Sequence, residues 1–227
     1  MVSVLAFDSG GAACTAAVLR DDVVAARRLA PMERGHAEAL MPMIDAVLEE
    51  AGIAVEALDL IAVTTGPGAF TGLRIGLAAA RGLALASGVP ALGITRFAAA
   101  AAAVPRERQA GKRLVIALDS KRRELFLQVF AEGGAEGDGA LVPPEAVAGW
   151  LPPGRLLLAG DAAPALARLI AAREGVEEAP GPGLVDAVDV ARLAAAAWRP
   201  GLSPPPPRPL YLRAPDTTLP RRAGGAP

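Results

Sequence analysis

The centre of the chain reads LIAVTTGPGAFTGLRIGLAAARGLALA over residues 60–86. Its first six residues are mostly apolar and β-branched, which is typical of a buried strand. Pro67 lies between two glycines and predicts a sharp turn, because proline fixes φ and glycine accepts a positive φ. The remainder favours a helix, for which Thr71 is the predicted N-cap. A strand, a glycine loop and a helix in this order indicate an α/β protein.

Two interpretations of the glycine loop stay open. In one, the backbone amides after Gly68 face an anion at the helix N-terminus. In the other, the glycines only allow the chain to turn sharply. A P-loop is excluded because no lysine follows Gly72, and the spacing of Gly66, Gly68 and Gly72 differs from the dinucleotide-binding fingerprint.

Small residues follow one face of the predicted helix, because Gly72, Gly76 and Ala80 lie four residues apart. A glycine inside a helix costs roughly 1 kcal/mol relative to alanine. Two of them indicate that another backbone approaches closely, either from this chain or from a partner.

The first half of the chain predicts the element order β-β-β-α-β-α-β-α. Three strands with tight turns come first, and a helix with a broad apolar stripe ends at Ala51. The strand and helix quoted above follow, and then a fifth strand and an alanine-rich helix that ends at Val104. An antiparallel meander joined to parallel crossover units gives a mixed five-strand sheet with flanking helices.

An acid followed by a serine ends the first strand of each half, at Asp8 with Ser9 and at Asp119 with Ser120. Several phosphotransferases hold a metal–nucleotide with an acid in this position before a hydroxyl group. The same residues are also a common turn composition. Asp8, Ser9 and Asp119 are therefore candidates for cofactor binding, with a simple turn as the alternative.

We predict three parts for the chain, namely a first lobe over residues 1–104, a smaller second lobe over 105–200 and a proline-rich tail over 201–227. Within the second lobe, the glycines and glutamates of 131–139 predict a loop. In the tail, residues 210–213 are a candidate docking segment.

Composition and charge exclude several classes of protein. The formal net charge is −1, which gives no global electrostatic reason to bind nucleic acid. The cationic clusters within 106–113 and 121–123 are predicted to be solvated surface. Cys14 is the only cysteine, so no internal disulfide forms and a reducing compartment is expected. We recognise no signal sequence and no apolar run that spans a membrane, and we expect a cytoplasmic protein.

Four pieces of the sequence form a recognisable series. They are the opening strand 4–9, His36 with Glu38, Leu40 and Pro42, the nine residues GPGAFTGLR at 66–74 and the five residues PLYLR at 209–213. Together they resemble the TsaB-like proteins of bacterial tRNA threonylcarbamoyladenosine biosynthesis, a glycoprotease-like branch of the actin-like ATPase and sugar kinase superfamily. The resemblance implies two ribonuclease H-like (actin-like) lobes, of which the second is smaller and degenerate.

The resemblance also implies a non-catalytic subunit. Such proteins bind and support a TsaD-like transferase, which modifies the adenosine next to the anticodon of certain tRNAs, and a TsaE-like ATPase completes the machinery. It further implies a homodimer when the chain is alone and contact with tRNA only through the complex. No cofactor is expected for the chain itself, with ATP and Mg²⁺ as candidates in the complex.

A metal-binding pattern of the paralogues is missing from this chain. TsaD-like proteins bind a metal through His-x-x-x-His after the fifth strand, and that pattern falls here on Arg96 and Ala100, neither of which is a metal ligand. The alternative function is an active kinase or ATPase that uses Asp8 and Asp119 around Mg²⁺ and ATP. A peptidase is the least favoured class, because no set of nucleophile, base and metal is recognised. His36, the only histidine, is predicted to make a capping or surface hydrogen bond.

The two helices of the first half are the predicted docking surface for a TsaD-like partner or for a second copy of the chain. Its residues are Leu40, Met43, Val47, Leu73, Gly76 and Ala80. On this interpretation an arginine at Gly76 abolishes partner binding and leaves the fold intact. The alternative is that all of these residues are core.

Overall fold

Each half of the chain forms a five-stranded mixed sheet in the computed structural model, which describes residues 2–132, 134–201 and 204–213. The strands of the first sheet are β1 Ser3–Asp8, β2 Ala13–Arg20, β3 Val23–Pro31, β4 Leu60–Gly66 and β5 Ala91–Thr95. Its helices are α1 His36–Ala51, α2 Phe70–Ser87 and α3 Arg96–Ala102. The strand order is β3-β2-β1-β4-β5, and the predicted element order of this half is confirmed.

The second sheet repeats the topology of the first. After the short helix α4 (Arg106–Gln109), its strands are β6 Arg113–Asp119, β7 Leu125–Ala131, β8 Gly134–Val142, β9 Leu156–Ala159 and β10 Val176–Glu178. The remaining helices are α5 Val147–Trp150, α6 Ala163–Leu169 and α7 Ala187–Ala197. The order is β10-β9-β6-β7-β8, so in each sheet an antiparallel meander is continued by two parallel strands. The predicted fold class, an α/β protein with two lobes, is confirmed.

The prediction of a loop over residues 131–139 is wrong for most of that range. Strand β8 begins at Gly134 and pairs antiparallel with β7. It lies at the edge of the sheet, and residues 134–138 are exposed. An exposed edge strand needs no alternation of apolar and polar residues, so the sequence carries no strand pattern here.

Helix α2 begins earlier than predicted, and the assignment of Thr71 as its N-cap is wrong. Ala69 takes the N-cap position without a side-chain hydrogen bond, and Thr71 lies exposed in the first turn. The Ala69 amide donates to the carbonyl oxygen of Gly10 at 2.8 Å. A contact with the loop after β1 therefore holds the start of this helix, in place of a capping hydroxyl.

The elements stack in five layers. Helices α1 and α2 pack on the outer face of the first sheet, α3 and α7 lie between the two sheets, and α5 and α6 pack on the outer face of the second. The middle core joins both sheets, because Val4 and Leu60 of the first belong to the same buried cluster as Ile116 and Leu157 of the second. Within the described ranges, no helix has the length and apolar character needed to cross a membrane.

Helix α7 falls in the range predicted for the second lobe but packs on the first sheet. It contacts β1, β2, β4 and β5. The Ala187 amide donates to the Thr15 hydroxyl at 3.2 Å, and Asp186 accepts from Arg27 Nε at 2.7 Å. A division at residue 104 therefore separates the first sheet from the helix that covers its inner face, because the chain returns to the first lobe after completing the second.

The proline-rich tail also returns to the first lobe. The Leu210 amide donates to the carbonyl oxygen of Thr65 at 2.7 Å. The ring of Tyr211 stacks on Phe70 with 4.5 Å between ring centroids. The docking expected near the end of the tail is present, whereas residues 214–227 of the predicted tail lie outside the described residues.

Candidate functional site

The cleft between the lobes receives acidic residues from both sheets. Asp8 ends β1, Asp119 ends β6, and Asp161 follows β9. The carboxyl ends of central strands form the crevice in which open α/β sheets bind ligands. The sequence predicts the first two acids for this place, and Asp161 is an addition from the structure.

Asp8 is almost completely buried, with 1% of its surface exposed. Its Oδ1 accepts hydrogen bonds from the Gly10 amide, at 3.0 Å, and from the Thr64 hydroxyl, while its Oδ2 lies 3.2 Å from Arg96 Nε. Both carboxylate oxygens are therefore engaged by donors of this chain. The surroundings are dry: burial, with a smaller contribution from the charge of Asp8, raises the pKa of the Cys14 thiol to about 11.

Arg96 is the first residue of α3. Among the described residues it has the largest fully buried side chain, although it carries a charge. Besides its contact with Asp8, Nη1 donates to the carbonyl oxygen of Pro67 at 3.0 Å, and Nη2 lies 3.8 Å from Asp161 Oδ2. The guanidinium thus stands between a carboxylate of the first lobe and one of the second. In the sequence, Arg96 occupies a position at which the paralogues have a metal-binding histidine. Nothing in the local sequence indicates that its side chain is buried.

The glycines of two loops make room for this guanidinium. A Cβ atom added at Gly11 would overlap Arg96 Nη2, and one added at Gly68 would lie 3.2 Å from Arg96 Nη1. A Cβ atom at Gly68 would also overlap the carbonyl oxygen of Gly10, so the close approach of these two loops requires a glycine here.

The cation of a metal-bound nucleotide does not fit these residues. Mg²⁺ takes oxygen ligands such as carboxylates, but both oxygens of Asp8 already accept from donors of this chain, and a guanidinium separates Asp8 from Asp161. In the part of the chain that the structure describes, no three His, Cys, Asp or Glu side chains are grouped in a way that could hold a metal ion.

The other two predicted cofactor residues are engaged as well. The Ser9 hydroxyl donates to the carbonyl oxygen of Gly72 at 2.9 Å. Asp119 accepts from the Lys121 amide at 2.7 Å, and its second oxygen lies 3.0 Å from Lys121 Nζ. Ser9 thus tethers the loop after β1 to α2, and Asp119 closes a turn of the second lobe.

Asp161 connects this turn to the cleft. Its Oδ1 accepts from the Asp119 amide at 2.8 Å, and its Oδ2 faces Arg96. Burial raises the pKa of the Asp161 carboxyl above its usual range, and the charge of Arg96 opposes that shift. The structure therefore brings Asp8 and Asp161 together around Arg96 and leaves the Asp119 side chain outside this group.

A cavity of about 500 Å³ opens at the mouth of the cleft. The N-terminal ends of α1 and α2 line it together with Lys121 of the second lobe. His36 Nε2 lies 3.1 Å from the carbonyl oxygen of Gly11. Because a carbonyl only accepts, Nε2 donates in this contact. His36 therefore makes a half-buried hydrogen bond to the loop after β1, where a capping or surface hydrogen bond was predicted.

The predicted docking residues lie mainly in the core. Leu40, Val47 and Ala80 belong to the buried cluster on the outer face of the first sheet, with Met43 packed against it. Leu73 and Gly76 lie against the loop after β1. Apart from the half-buried Met43, the predicted docking residues are buried, namely Leu40, Val47, Leu73, Gly76 and Ala80. Their contacts are those of core residues. Helical periodicity identifies an apolar face, and in this fold that face packs on the sheet.

The glycines of α2 admit a loop of this same chain. A Cβ atom at Gly72 would overlap the carbonyl oxygen of Ser9, and one at Gly76 would lie 2.9 Å from Ser9 Oγ. The close approach is therefore intramolecular. An arginine at Gly76 would disturb the fold and could not serve as a clean test of a partner surface.

The outer faces of the same helices carry apolar residues that are free for contact. Met41 of α1 is 40% exposed, and Leu85 of α2 is 88% exposed. A docking surface on α1 and α2 has to consist of residues such as these, with Met43 at its edge.

The cationic clusters of the second half are partly neutralised. Lys112 pairs with Glu177 at 2.7 Å, and Arg113 pairs with Glu136 at 2.8 Å. These pairs reduce the positive charge that a phosphate backbone would meet.

Two mixed five-stranded sheets of equal topology, with a cleft at the carboxyl ends of their central strands, define the class of two-lobed actin-like proteins. Component A of the (R)-2-hydroxyglutaryl-CoA dehydratase of Acidaminococcus fermentans shares this fold, with a TM-score of 0.53 and 11% sequence identity over 86% of this chain and 100% of that chain. At this identity the likeness concerns the fold alone.

More similar proteins narrow the class to one family. Residues 30–171 match the family described as TsaD: tRNA N6-adenosine threonylcarbamoyltransferase. The tRNA threonylcarbamoyladenosine biosynthesis protein TsaB of Haemophilus influenzae is 35% identical over 133 residues, which are 58% of this chain and 55% of that protein. The structure of YeaZ from Pseudomonas aeruginosa is 32% identical, with a TM-score of 0.79 over 93% of this chain and 100% of that chain. The chain therefore belongs to the TsaD-type family, in the TsaB-like branch.

Proposed function

We propose that the chain is a non-catalytic subunit of the machinery that makes threonylcarbamoyladenosine in tRNA, and that it acts by binding a TsaD-type transferase together with a TsaE-like ATPase. The names of its relatives supply the pathway. The observation that carries the non-catalytic role is the cleft, where Arg96 joins Asp8 and Asp161 and fills the place of a ligand. Because a guanidinium of the chain itself engages both carboxylates, we infer that the chain acts through its surface.

Helices α1 and α2 are the surface that we assign to the partner. They pack against each other, and each presents a large apolar side chain to solvent, Met41 on α1 and Leu85 on α2. Methionine adapts its shape to different partners. The same surface pairs two copies of the chain when the transferase is absent, so that the homodimer and the heterocomplex compete.

The first test is size-exclusion chromatography with light scattering on the chain alone and mixed with the TsaD-type protein of the same source. Alone, the chain is expected at twice its mass of 23.0 kDa. In the mixture this species should convert into a heterocomplex. If the two proteins stay separate, even with ATP and the TsaE-like protein present, the proposal is contradicted.

An active ATP-dependent enzyme is the competing function. Incubation of the purified chain with MgATP separates the two, because a non-catalytic subunit produces no ADP above the buffer rate. Turnover that disappears in Asp8→Asn would replace our proposal. We place the chain in the cytoplasm with its tRNA substrate, which it contacts only as part of the complex.

A further inference from the structure

The positive charge in the cleft comes from the chain itself. We propose that this cleft is a guanidinium-binding site, in which Arg96 is a resident cation that stands in for a bound metal–nucleotide and ties the two lobes together. The same contacts of Arg96 support the non-catalytic role proposed above, but the test here measures thermal stability and not partner binding, so the two proposals can fail separately.

Two buried carboxylates require a cation between them. Asp8 is 1% exposed, and the side chain of Asp161 is 8% exposed. Burial removes water from both groups, and their like charges repel each other, so the arrangement is unfavourable unless a positive charge compensates. Arg96 is the charge that meets both of them.

The site matches a planar guanidinium. Nε faces Asp8, Nη1 donates to the Pro67 carbonyl oxygen, and Nη2 faces Asp161, so each nitrogen has its own partner. A lysine ammonium is a compact point charge and cannot place donors in this fork. Gly11 has no Cβ atom, and this leaves room for Nη2, which such an atom would overlap.

The contacts also connect the two halves of the molecule. Asp8 belongs to β1 of the first sheet, and Asp161 follows β9 of the second. Arg96 lies at the start of α3, in the layer between the sheets. A single guanidinium therefore contacts carboxylates of both lobes, in addition to the buried core that the lobes share.

Chemical rescue tests the proposal. Arg96→Ala removes atoms equivalent to N-ethylguanidinium, and we expect the melting temperature to fall by roughly 10 °C, because two buried carboxylates lose their cation. Millimolar N-ethylguanidinium should raise the melting temperature of this variant, and the increase should continue with the logarithm of the ligand concentration. N-ethylurea, which has the same shape without the charge, should restore none of the loss.

A matched control uses a second arginine. Arg81 donates to the carbonyl oxygen of Pro207 at the surface, so Arg81→Ala should lose little stability and gain nothing from N-ethylguanidinium. Equal rescue by the urea and the guanidinium would overturn the cation site and leave only a filled cavity. If Arg96→Ala folds and neither compound raises its melting temperature, the proposed cation site is overturned as well.

Two further variants keep the test valid if Arg96→Ala does not fold. Arg96→Met keeps the apolar stem and loses the charge, and Arg96→Lys keeps a charge and loses the fork. We expect the order of melting temperatures to be wild type, then Lys, then Met. A Met variant as stable as wild type contradicts the proposal. Small-angle X-ray scattering tests whether Arg96 ties the two lobes together. The radius of gyration should increase in the folded variant that has the lowest melting temperature, and an unchanged radius would overturn the claim that Arg96 ties the lobes.

Discussion

At the scale of single residues, Gly72 determines how closely the loop after β1 approaches helix α2. A Cβ atom at Gly72 would overlap the carbonyl oxygen of Ser9, whereas nothing lies within 4 Å of a Cβ atom at Gly82 in the same helix. Both glycines carry the same propensity cost, roughly 1 kcal/mol relative to alanine. Comparing substitutions at Gly72 and Gly82 therefore separates the effect of packing on stability from the effect of helix propensity.

We expect Gly72→Ala to lower the free energy of unfolding by about 2 kcal/mol or more, because the added methyl group overpacks the contact with Ser9. Gly82→Ala should raise it by up to about 1 kcal/mol. Urea unfolding followed by circular dichroism measures both. If Gly72→Ala were as stable as Gly82→Ala, the loop after β1 would be free to move, and the tight approach would have no energetic weight.

The acids of the cleft show what can be predicted at this scale. The local pattern of an apolar strand that ends in an acid identifies Asp8 and Asp119. The same approach misses the role of Arg96, because its partner Asp8 is 88 positions away in sequence. No local pattern distinguishes a buried arginine from an exposed one.

At the scale of elements, helices α1 and α2 each have an apolar face that the sequence identifies correctly as a face. Periodicity reports that a stripe is apolar and does not report what covers it. The structure packs the stripe of Leu40 and Val47 on the sheet and leaves Met41 and Leu85 outside. The docking hypothesis therefore moves to the outer residues of the same helices.

We expect Leu85→Arg to abolish binding of the TsaD-type protein and formation of the homodimer. Its melting temperature should stay within about 2 °C of wild type, because a side chain that is 88% exposed has little packing to lose. Leu169→Arg is the matched control, since Leu169 is 44% exposed on α6 of the second lobe. Chromatography of each variant with the partner gives the result. Binding that survives in Leu85→Arg, or that is lost in both variants, speaks against this surface.

At the scale of the whole molecule, the two lobes share one core. The buried cluster of the middle layer contains residues of both sheets together with α3 and α7. Helix α7 covers the inner face of the first sheet, although the whole second sheet precedes it in sequence. The residues around the first sheet are therefore not contiguous in sequence, because α7 follows the second sheet in the chain and packs on the first.

We expect the fragment 1–104 to lack fixed tertiary structure, because the inner face of its sheet is left without α7. A fragment in which a flexible glycine–serine linker joins 1–104 to residues 184–200 should recover dispersed amide signals in an NMR spectrum. The full chain should melt in one calorimetric transition, since the middle core is shared. A well-dispersed spectrum of 1–104 alone would show that the first lobe is autonomous.

The element order of the first half, the repeat of its opening strand in the second half and the family motif around Gly66 can all be predicted from local sequence. These features depend on periodicity, proline and glycine, which act within a few neighbouring residues. What covers each apolar face, where α7 packs and which side chain lies between the cleft carboxylates are known from the folded molecule alone. Those outcomes depend on partners far apart in the chain, as when the Ala187 amide meets the Thr15 hydroxyl 172 positions away, and such pairs leave no local signal.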